Sequence, residues 1–286
     1  MNAFELVRPT RLEEALEVLS EDPETVRPFG GGTALMLLMR SRLLQPRRLV
    51  SLDRVSGLDR LDLDGEGNLR VGSMVRLRDL ELSATVERFC PAISRALLTL
   101  SNVRVRNVAT VGGHLAHGDP HMDLPPILLA LGASVVAQGP AGPRQIPLDQ
   151  LYLGYYATSL QPGELITELV IPPLPEGTRG SYLKATALSA DDWPMAGVAA
   201  FFRLEQGRIV EPRIAVSAAT TTPVRLPAVE AALAGEAPSE ALFSEAGRLA
   251  GRDLHCLSDL RGSAAYKREV VRVYVRRALQ QVWAGR

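Results

Sequence analysis

Cysteine is scarce in this sequence, and an excess of charge of either sign is missing. The 286 residues include two cysteines, Cys90 and Cys256, which lie far apart. An iron–sulfur cluster usually takes about four thiolates, so this chain alone does not supply a full set. Both cysteines are therefore expected to be small buried apolar residues. Basic and acidic residues both number 32, and this balance argues against a surface for nucleic acid.

Long apolar runs are also missing. The longest candidate, residues 124–137, is interrupted by Pro125, Pro126 and Gly132, and it falls short of the roughly 18 residues of a membrane span. The N-terminus shows no basic region followed by an apolar one, as a secretory signal would. The sequence therefore predicts a cytoplasmic protein without a membrane span.

Two glycine-rich turns are the most informative feature that is present. The first is Gly30-Gly31-Gly32-Thr33 after Phe29, and the second is Ala109-Thr110-Val111-Gly112-Gly113 before His114. Glycine lets a ligand approach backbone N–H groups closely, and a helix that starts at such a turn suits phosphate. The first turn lacks the third glycine of a dinucleotide fingerprint and the Lys-Ser/Thr of a P-loop. Read alone, each turn is either a ligand loop or a plain tight turn.

The residues around the second turn sharpen this reading. Arg104 and Arg106 precede it, which suits a diphosphate, although a surface loop with two arginines is the alternative. His114, His117 and His121 have the composition of a metal site, but glycine and proline interrupt the segment and the spacing fits no standard zinc site. No nucleophile motif is present. Neither a metal site nor a catalytic residue is predicted, which favours a cofactor that carries its own chemistry.

The element pattern predicts an α+β protein with a boundary near residue 176. Residues 1–53 look like a small α/β part, and residues 54–176 form a middle part that contains the second turn. Proline and glycine cluster over residues 171–178, which is typical of a linker. Residues 177–286 are expected to form a smaller α+β domain, with a three-stranded antiparallel sheet and three helices.

In this order, the motifs resemble a known family. Gly30-Gly31-Gly32-Thr33 is followed by Arg106-Asn107-Val108-Ala109-Thr110-Val111-Gly112-Gly113 and then by Asp123-Leu124-Pro125. These strings are similar to those of the FAD-binding medium subunit of the molybdenum hydroxylases, which include carbon monoxide dehydrogenase and xanthine dehydrogenase. The resemblance continues beyond residue 176 and covers nearly the whole chain.

The resemblance implies the cofactor, the fold and the site. The fold would be a two-part FAD-binding domain of the vanillyl-alcohol-oxidase type over residues 1–176, followed by the smaller domain. The two turns would hold the FAD diphosphate, Asp123 would bind sugar hydroxyls, Ile166 would lie beside the isoalloxazine, and Lys184 would approach its polar edge. The implied FAD-binding residues are Phe29, Gly30, Gly31, Gly32, Thr33, Ala109, Thr110, Gly112, Gly113, His114, His117, Asp123, Ile166 and Lys184.

The resemblance also implies partners. Molybdopterin would lie on a large subunit and [2Fe-2S] clusters on a small subunit, in a dimer of heterotrimers. The chain would be an oxidoreductase subunit that passes electrons through FAD to an acceptor. Ala34, His114 and Leu188 depart from the usual family residues, Asp, Asn and Arg. Two alternatives remain open: a flavin-free assembly subunit of the same complex, and a stand-alone flavin oxidoreductase.

Overall fold

The N-terminal part is a small parallel sheet with two helices. The computed structural model describes residues 2–285, without the side chain of Asp253. The elements of this part are β1 (Glu5–Val7), α1 (Leu12–Glu21), β2 (Val26–Phe29), α2 (Leu35–Arg40) and β3 (Arg48–Ser51). The strand order is β1-β3-β2, and both pairs are parallel. Helical spacing buries Ala15, Leu16 and Leu19 of α1, so that helix packs beside the sheet.

The middle part is an antiparallel sheet with helices between its strands. Its elements are β4 (Leu61–Leu63), β5 (Leu69–Gly72), α3 (Leu77–Leu82), α4 (Ala84–Phe89), α5 (Pro91–Leu97), α6 (Val103–Arg106), α7 (Val111–Ala116), α8 (Leu124–Ala130), β6 (Ser134–Gly139), β7 (Gly142–Pro147), α9 (Leu148–Leu151), β8 (Tyr152–Gly154), β9 (Ala157–Thr158) and β10 (Leu165–Ile171). The five-stranded sheet has the order β4-β5-β10-β6-β7, and β8 pairs with β9 separately. The central strand β10 thus comes last in sequence.

The apolar run noted in the sequence forms the buried helix α8. Every residue of α8 is buried, and Pro125 and Pro126 stand in its first turn, where a missing N–H costs nothing. Within residues 2–285, no helix combines the length and the hydropathy needed to cross a membrane.

The C-terminal part has one strand more than the sequence predicts. Its elements are β11 (Arg179–Ala185), β12 (Ala196–Glu205), β13 (Arg208–Ser217), β14 (Val224–Arg225), α10 (Pro227–Leu233), α11 (Glu240–Asp253) and α12 (Ala264–Trp283). The prediction of a three-stranded sheet is wrong, because β14 pairs with β13 at the edge to make a four-stranded sheet. A two-residue strand is too short to show an alternating pattern. The three predicted helices are present.

The strand β12 joins two hydrophobic cores. Its neighbouring residues Phe201 and Phe202 point to opposite faces, as in any strand. Phe201 packs in the core of the middle part, whereas Phe202 packs among residues of α11 and α12. One core therefore runs across residue 176. The predicted domains 1–53, 54–176 and 177–286 stay predictions.

The two cysteines differ in burial. Cys90 is buried, and desolvation raises the pKa of its thiol to about 11. Cys256 is half-buried, so the expectation of two buried cysteines is correct for Cys90 alone. Neither forms a disulfide.

A buried ion pair fixes the segment that leads to the second glycine turn. Nε of Arg106 donates to Oε2 of Glu81 over 2.7 Å, and Nη1 donates to the carbonyls of Leu100 (3.0 Å) and Ser101 (2.6 Å). Arg78 also pairs with Glu81. The expectation that Arg106 contacts a bound anion is therefore wrong, because its guanidinium is held inside the protein.

We expect the change Arg106→Leu to lower the free energy of unfolding by about 3 kcal/mol, since it removes one partner of a buried charge. Arg104→Leu is the matched control, because Arg104 lies on the same helix with an exposed side chain. Urea denaturation of both variants checks the difference. Equal stability of the two variants would contradict a structural role for Arg106.

Candidate functional site

A cleft of about 960 Å³ opens where the N-terminal and middle parts meet. Its volume lies at the upper end of ligand sites, which span about 300–1,000 Å³. Both glycine turns line it, together with Ile166 of β10 and the loop that follows α7. The cleft is therefore large enough for an extended ligand and is bordered by bare backbone.

The two glycine turns touch each other. A Cβ atom added to Gly31 would lie 1.9 Å from the carbonyl oxygen of Val108, and one added to Gly30 would lie 2.9 Å from Oγ1 of Thr110. No side chain fits at Gly31 without moving backbone. Residues about eighty positions apart thus come together because Gly30 and Gly31 carry no side chains.

The first turn presents free donors. Within the described part of the chain, the backbone N–H groups of Gly30, Gly31, Gly32 and Thr33 donate no hydrogen bond. Gly32 has φ of 70°, a conformation that favours glycine, and the ring of Phe29 packs against it. Successive free N–H groups beside a cleft suit an anionic ligand, since a buried N–H group needs an acceptor.

The N–H groups of the second turn are hydrogen-bonded within the protein. The N–H groups of Val111 and Gly112 donate to the carbonyls of Val75 (2.9 Å) and Ser73 (2.8 Å), and the N–H of Gly113 donates to Oγ1 of Thr110 (3.2 Å). These donors are engaged inside the protein, unlike those of the first turn. The second turn therefore supplies shape and close approach, with fewer free N–H groups.

Asp123 lies at the cleft with a pKa that burial raises to about 6, against the opposing effects of Lys184 and Tyr182. Oη of Tyr182 donates to Oδ1 over 2.7 Å, and Nζ of Lys184 lies 3.4 Å from Oδ2. Lys184 also donates to the carbonyl of Asp192 over 2.9 Å. The carboxyl is thus held in place from the C-terminal sheet.

The histidines of the second turn do not form a metal site. Burial lowers the pKa of His114 to about 3, with a smaller effect from His117, so its ring stays neutral. Nε2 of His114 is buried and has no hydrogen-bond partner within the described part of the chain. The ring of His117 packs against Tyr156, at 5.1 Å between ring centroids. Among the residues that the structure describes, no three His, Cys, Asp or Glu side chains converge as a metal would require.

Most of the predicted site residues lie at the cleft, and two do not. Phe29 lies behind Gly32, and the side chain of Lys184 lies behind Asp123. The predicted residues that line the cleft are Gly30, Gly31, Gly32, Thr33, Ala109, Thr110, Gly112, Gly113, His114, His117, Asp123 and Ile166. Their roles stay predictions.

Asp119, His121 and Tyr156 line the cleft but are not among the predicted FAD-binding residues. Asp119 and His121 belong to a segment of metal-like composition whose polar residues are also candidates for contact with a ligand, and Asp119-Pro120 is similar to a family string, whereas Tyr156 gave no signal. Tyr156 reaches the cleft because the tight β8–β9 hairpin gives it φ of 53°, a feature that the sequence does not show.

Two family descriptions together match nearly all of the chain. Residues 2–174 match the FAD-binding domain in molybdopterin dehydrogenase, and residues 181–282 match the C-terminal domain of the CO dehydrogenase flavoprotein. The chain belongs to this family. It is a flavoprotein with FAD as its cofactor and a medium subunit of the molybdenum hydroxylases, as the resemblance predicts. The glycine turns, the free N–H groups and the volume of the cleft fit that cofactor.

Named relatives match over nearly their full length. The nicotine 6-hydroxylase medium subunit of Paenarthrobacter nicotinovorans is 33% identical, with 99% of this chain and 98% of that protein covered. The carbon monoxide dehydrogenase medium chain of Hydrogenophaga pseudoflava is 31% identical, with 98% and 97% covered. A solved structure of the Hydrogenophaga pseudoflava enzyme, which lacks the Mo-pyranopterin moiety, superimposes with a TM-score of 0.95 at 33% identity, covering 99% of this chain and 98% of that chain.

We expect Gly31→Ala to abolish FAD binding and to lower the free energy of unfolding by about 2 kcal/mol, since the added methyl group meets the carbonyl of Val108. Gly65→Ala is the control, because a Cβ at Gly65 meets no atom within 4 Å. Flavin absorbance after desalting and thermal denaturation give the two readouts. Full FAD occupancy of Gly31→Ala would contradict the close contact of the turns.

Asp123 should make stability depend on pH. Its pKa is about 6 in the folded chain against 3.8 for the free group, so the folded state retains a proton that the unfolded state releases. Its favourable contribution is complete below about pH 4 and is lost as the pH rises towards 6. We expect the stability of Asp123→Asn to gain up to about 3 kcal/mol on that of the unmodified, flavin-free chain as the pH rises from 4 to 7, on top of a constant cost for leaving Lys184 without its carboxylate.

Urea denaturation across that pH range measures the gain, with Asp149→Asn as the control at an exposed carboxyl. A constant difference between Asp123→Asn and the unmodified chain would show that Asp123 does not titrate in this range.

Proposed function

We propose that this chain is the electron-transfer subunit of a three-subunit molybdenum hydroxylase. Electrons would arrive from [2Fe-2S] clusters on a small partner subunit and leave through FAD to an acceptor. When bound, FAD supplies the redox chemistry, and the protein supplies binding, orientation and electrostatics. Substrate would be oxidised at molybdopterin on a large partner subunit, in a dimer of heterotrimers located in the cytoplasm.

The row of free N–H groups at residues 30–33 carries the proposal. The FAD diphosphate is an anion, and these donors face the cleft without a partner among the described residues. The contact of Gly31 with Val108 brings the second turn beside the first, and both turns line the same cleft. This arrangement suits a diphosphate that accepts from the N–H groups of the first turn, while the glycines of the second turn allow it to approach closely.

The remaining side chains take the other parts of the cofactor. Asp123 would bind sugar hydroxyls, and its carboxyl is already oriented by Tyr182. Ile166 offers an apolar surface at the cleft for the isoalloxazine. Lys184 would act through Asp123 and the carbonyl of Asp192, because its ammonium is bonded to both.

The small number of cysteines bears on where the proposed iron–sulfur clusters would lie. Two cysteines do not complete the set of about four thiolates that a cluster takes, so the clusters would lie on another chain. The relatives named above are medium subunits or chains, which agrees with a multi-subunit complex. We further propose two folding units that meet near residue 176, with a FAD-binding unit of the vanillyl-alcohol-oxidase type first.

A comparison of ligands tests the proposed site. The purified chain should bind FAD in a one-to-one ratio and should bind riboflavin at least about a hundredfold more weakly, because riboflavin lacks the phosphates that the free N–H groups receive. Fluorescence titration with FAD, FMN and riboflavin measures the ranking. Equal affinity for FAD and riboflavin would reject the diphosphate site. A chain that stays colourless after reconstitution and desalting would favour the flavin-free assembly role.

A further inference from the structure

Lysine occurs only twice among the 32 basic residues of the chain, at Lys184 and Lys267. Arginine fills every other basic position. Both lysine side chains are nearly inaccessible, with 5% and 0% of their surface exposed, and each ammonium is paired with one aspartate. Lysine is a compact point charge, whereas arginine is a planar fork with five donors. The chain therefore keeps lysine only at two enclosed positions that need a single compact cation.

Lys267 lies on α12, is fully buried, and stands at one end of a polar network that extends to the exposed residue Tyr156. Nζ donates to Oδ2 of Asp259 over 2.6 Å and to the carbonyl of Ala218 over 2.9 Å. The same Oδ2 lies 3.2 Å from Nε2 of His121, whose Nδ1 lies 2.8 Å from Oδ1 of Asp119. We call Tyr156, Asp119, His121, Asp259 and Lys267 the Lys267 network.

The network ends at the cleft. Oη of Tyr156 donates to Oδ2 of Asp119 over 2.9 Å, and Tyr156, Asp119 and His121 all line the cleft. Asp259 and Lys267 do not line it. The network therefore connects a fully enclosed ammonium of the C-terminal part to three groups that border the FAD site.

The network contains two carboxyl groups with lowered pKa values. Burial acts to raise the pKa of Asp259, but hydrogen bonds from Lys267, Arg261 and His121 lower it to about 2. Burial also acts to raise the pKa of Asp119, but hydrogen bonds from His121 and Tyr156 lower it. Both carboxyls are thus ionised at neutral pH. The ring of His121 lies between them, with one ring nitrogen within hydrogen-bond distance of each carboxylate.

The backbone at the junction supports the same connection. The N–H of Ala218 donates to the carbonyl of Pro120 over 3.0 Å, which joins the loop after α7 directly to the C-terminal part. Ala218 and Tyr156 have φ of 64° and 53°, a strained conformation for residues other than glycine. Such strain persists only where surrounding contacts fix it, and here Ala218 accepts from Lys267 while Tyr156 donates to Asp119.

We propose that Lys267 and Asp259 are positioning residues for the FAD site: through His121 they fix the cleft loop at Asp119 and couple the C-terminal part to FAD affinity. The proposal rests on the proposed function, since it takes the cleft as the FAD site. Coupling of this kind is reciprocal, so a network that strengthens FAD binding by some factor is itself stabilised by FAD by the same factor.

Asp259→Asn tests whether the network affects FAD affinity, because this change keeps the shape of the side chain and removes its charge. We expect FAD to bind about tenfold more weakly to this variant of the full chain. Lys267→Met should act in the same direction. Arg268→Met is the control, because it removes a charge from the neighbouring, exposed position of α12, and its FAD affinity should stay within about twofold of the unmodified chain.

A double-mutant cycle separates positioning from general destabilisation. If the network acts as a unit, His121→Gln and Asp259→Asn together should weaken FAD binding about as much as either change alone. A purely structural role would lower the melting temperature of each variant and leave the FAD dissociation constant unchanged.

The scarcity of lysine allows a test of the reverse direction without any variant. Acetylation of side-chain amines by an N-hydroxysuccinimide ester, followed by mass spectrometry, reports how often Lys267 becomes accessible. Saturating FAD should slow acetylation of Lys267 about tenfold. Because Lys267 does not line the cleft, direct shielding by the cofactor does not account for such protection.

The outcomes are distinct. Unchanged acetylation of Lys267 with FAD, or unchanged FAD affinity of a folded Asp259→Asn variant, would overturn the coupling and leave the FAD site intact. An unmodified chain that binds no FAD would overturn the proposed function and this proposal with it. Weaker binding in the variants together with FAD protection of Lys267 would establish the network as part of the cofactor site.

Discussion

The contact between the two glycine turns is the constraint on which the rest of the site depends. Gly31 lies against the carbonyl of Val108 at a distance that excludes even a methyl group. This contact holds the N-terminal parallel sheet against the middle part and defines the floor of the cleft. Because it involves backbone on both sides, it fixes the direction of the free N–H groups without using any side chain that the ligand would have to displace.

Behind the second turn, a continuous set of backbone bonds leads to the middle sheet. Ser73 accepts from Gly112 over 2.8 Å and donates to the carbonyl of Thr167 over 2.9 Å. Thr167 follows Ile166 at an irregularity of β10, the central strand of that sheet. Ile166, which lines the cleft, and Thr167, which binds the segment behind the second turn, thus belong to the same strand. A site held by main chain in this way tolerates differences such as His114, because the side chain there is not what holds the turn.

The two turns and most of the cleft residues could be predicted from the sequence, because glycine, threonine and their order are local signals. Sequence reasoning located Gly30, Thr110 and Asp123 and recognised the family from them. It misjudged Arg106, whose distance to Glu81 depends on how α3 and α6 pack, and it missed β14, which is two residues long. The Lys267 network was out of reach for the same reason. Its members come from three separate segments, and no pattern in one segment indicates the others.

The two-sided strand β12 has a consequence for how such chains evolve. Because Phe201 belongs to one core and Phe202 to another, the sheet of the C-terminal part offers no face to solvent that a replacement module could keep. Losing residues 177–286 would uncover an apolar surface on α5 and α8, which contact β11 and β12. Recombination between the genes of relatives should therefore give a folded protein when residues 1–176 and 177–286 come from the same parent. When such a gene comes to work with other partner subunits, we expect these two segments to be inherited together.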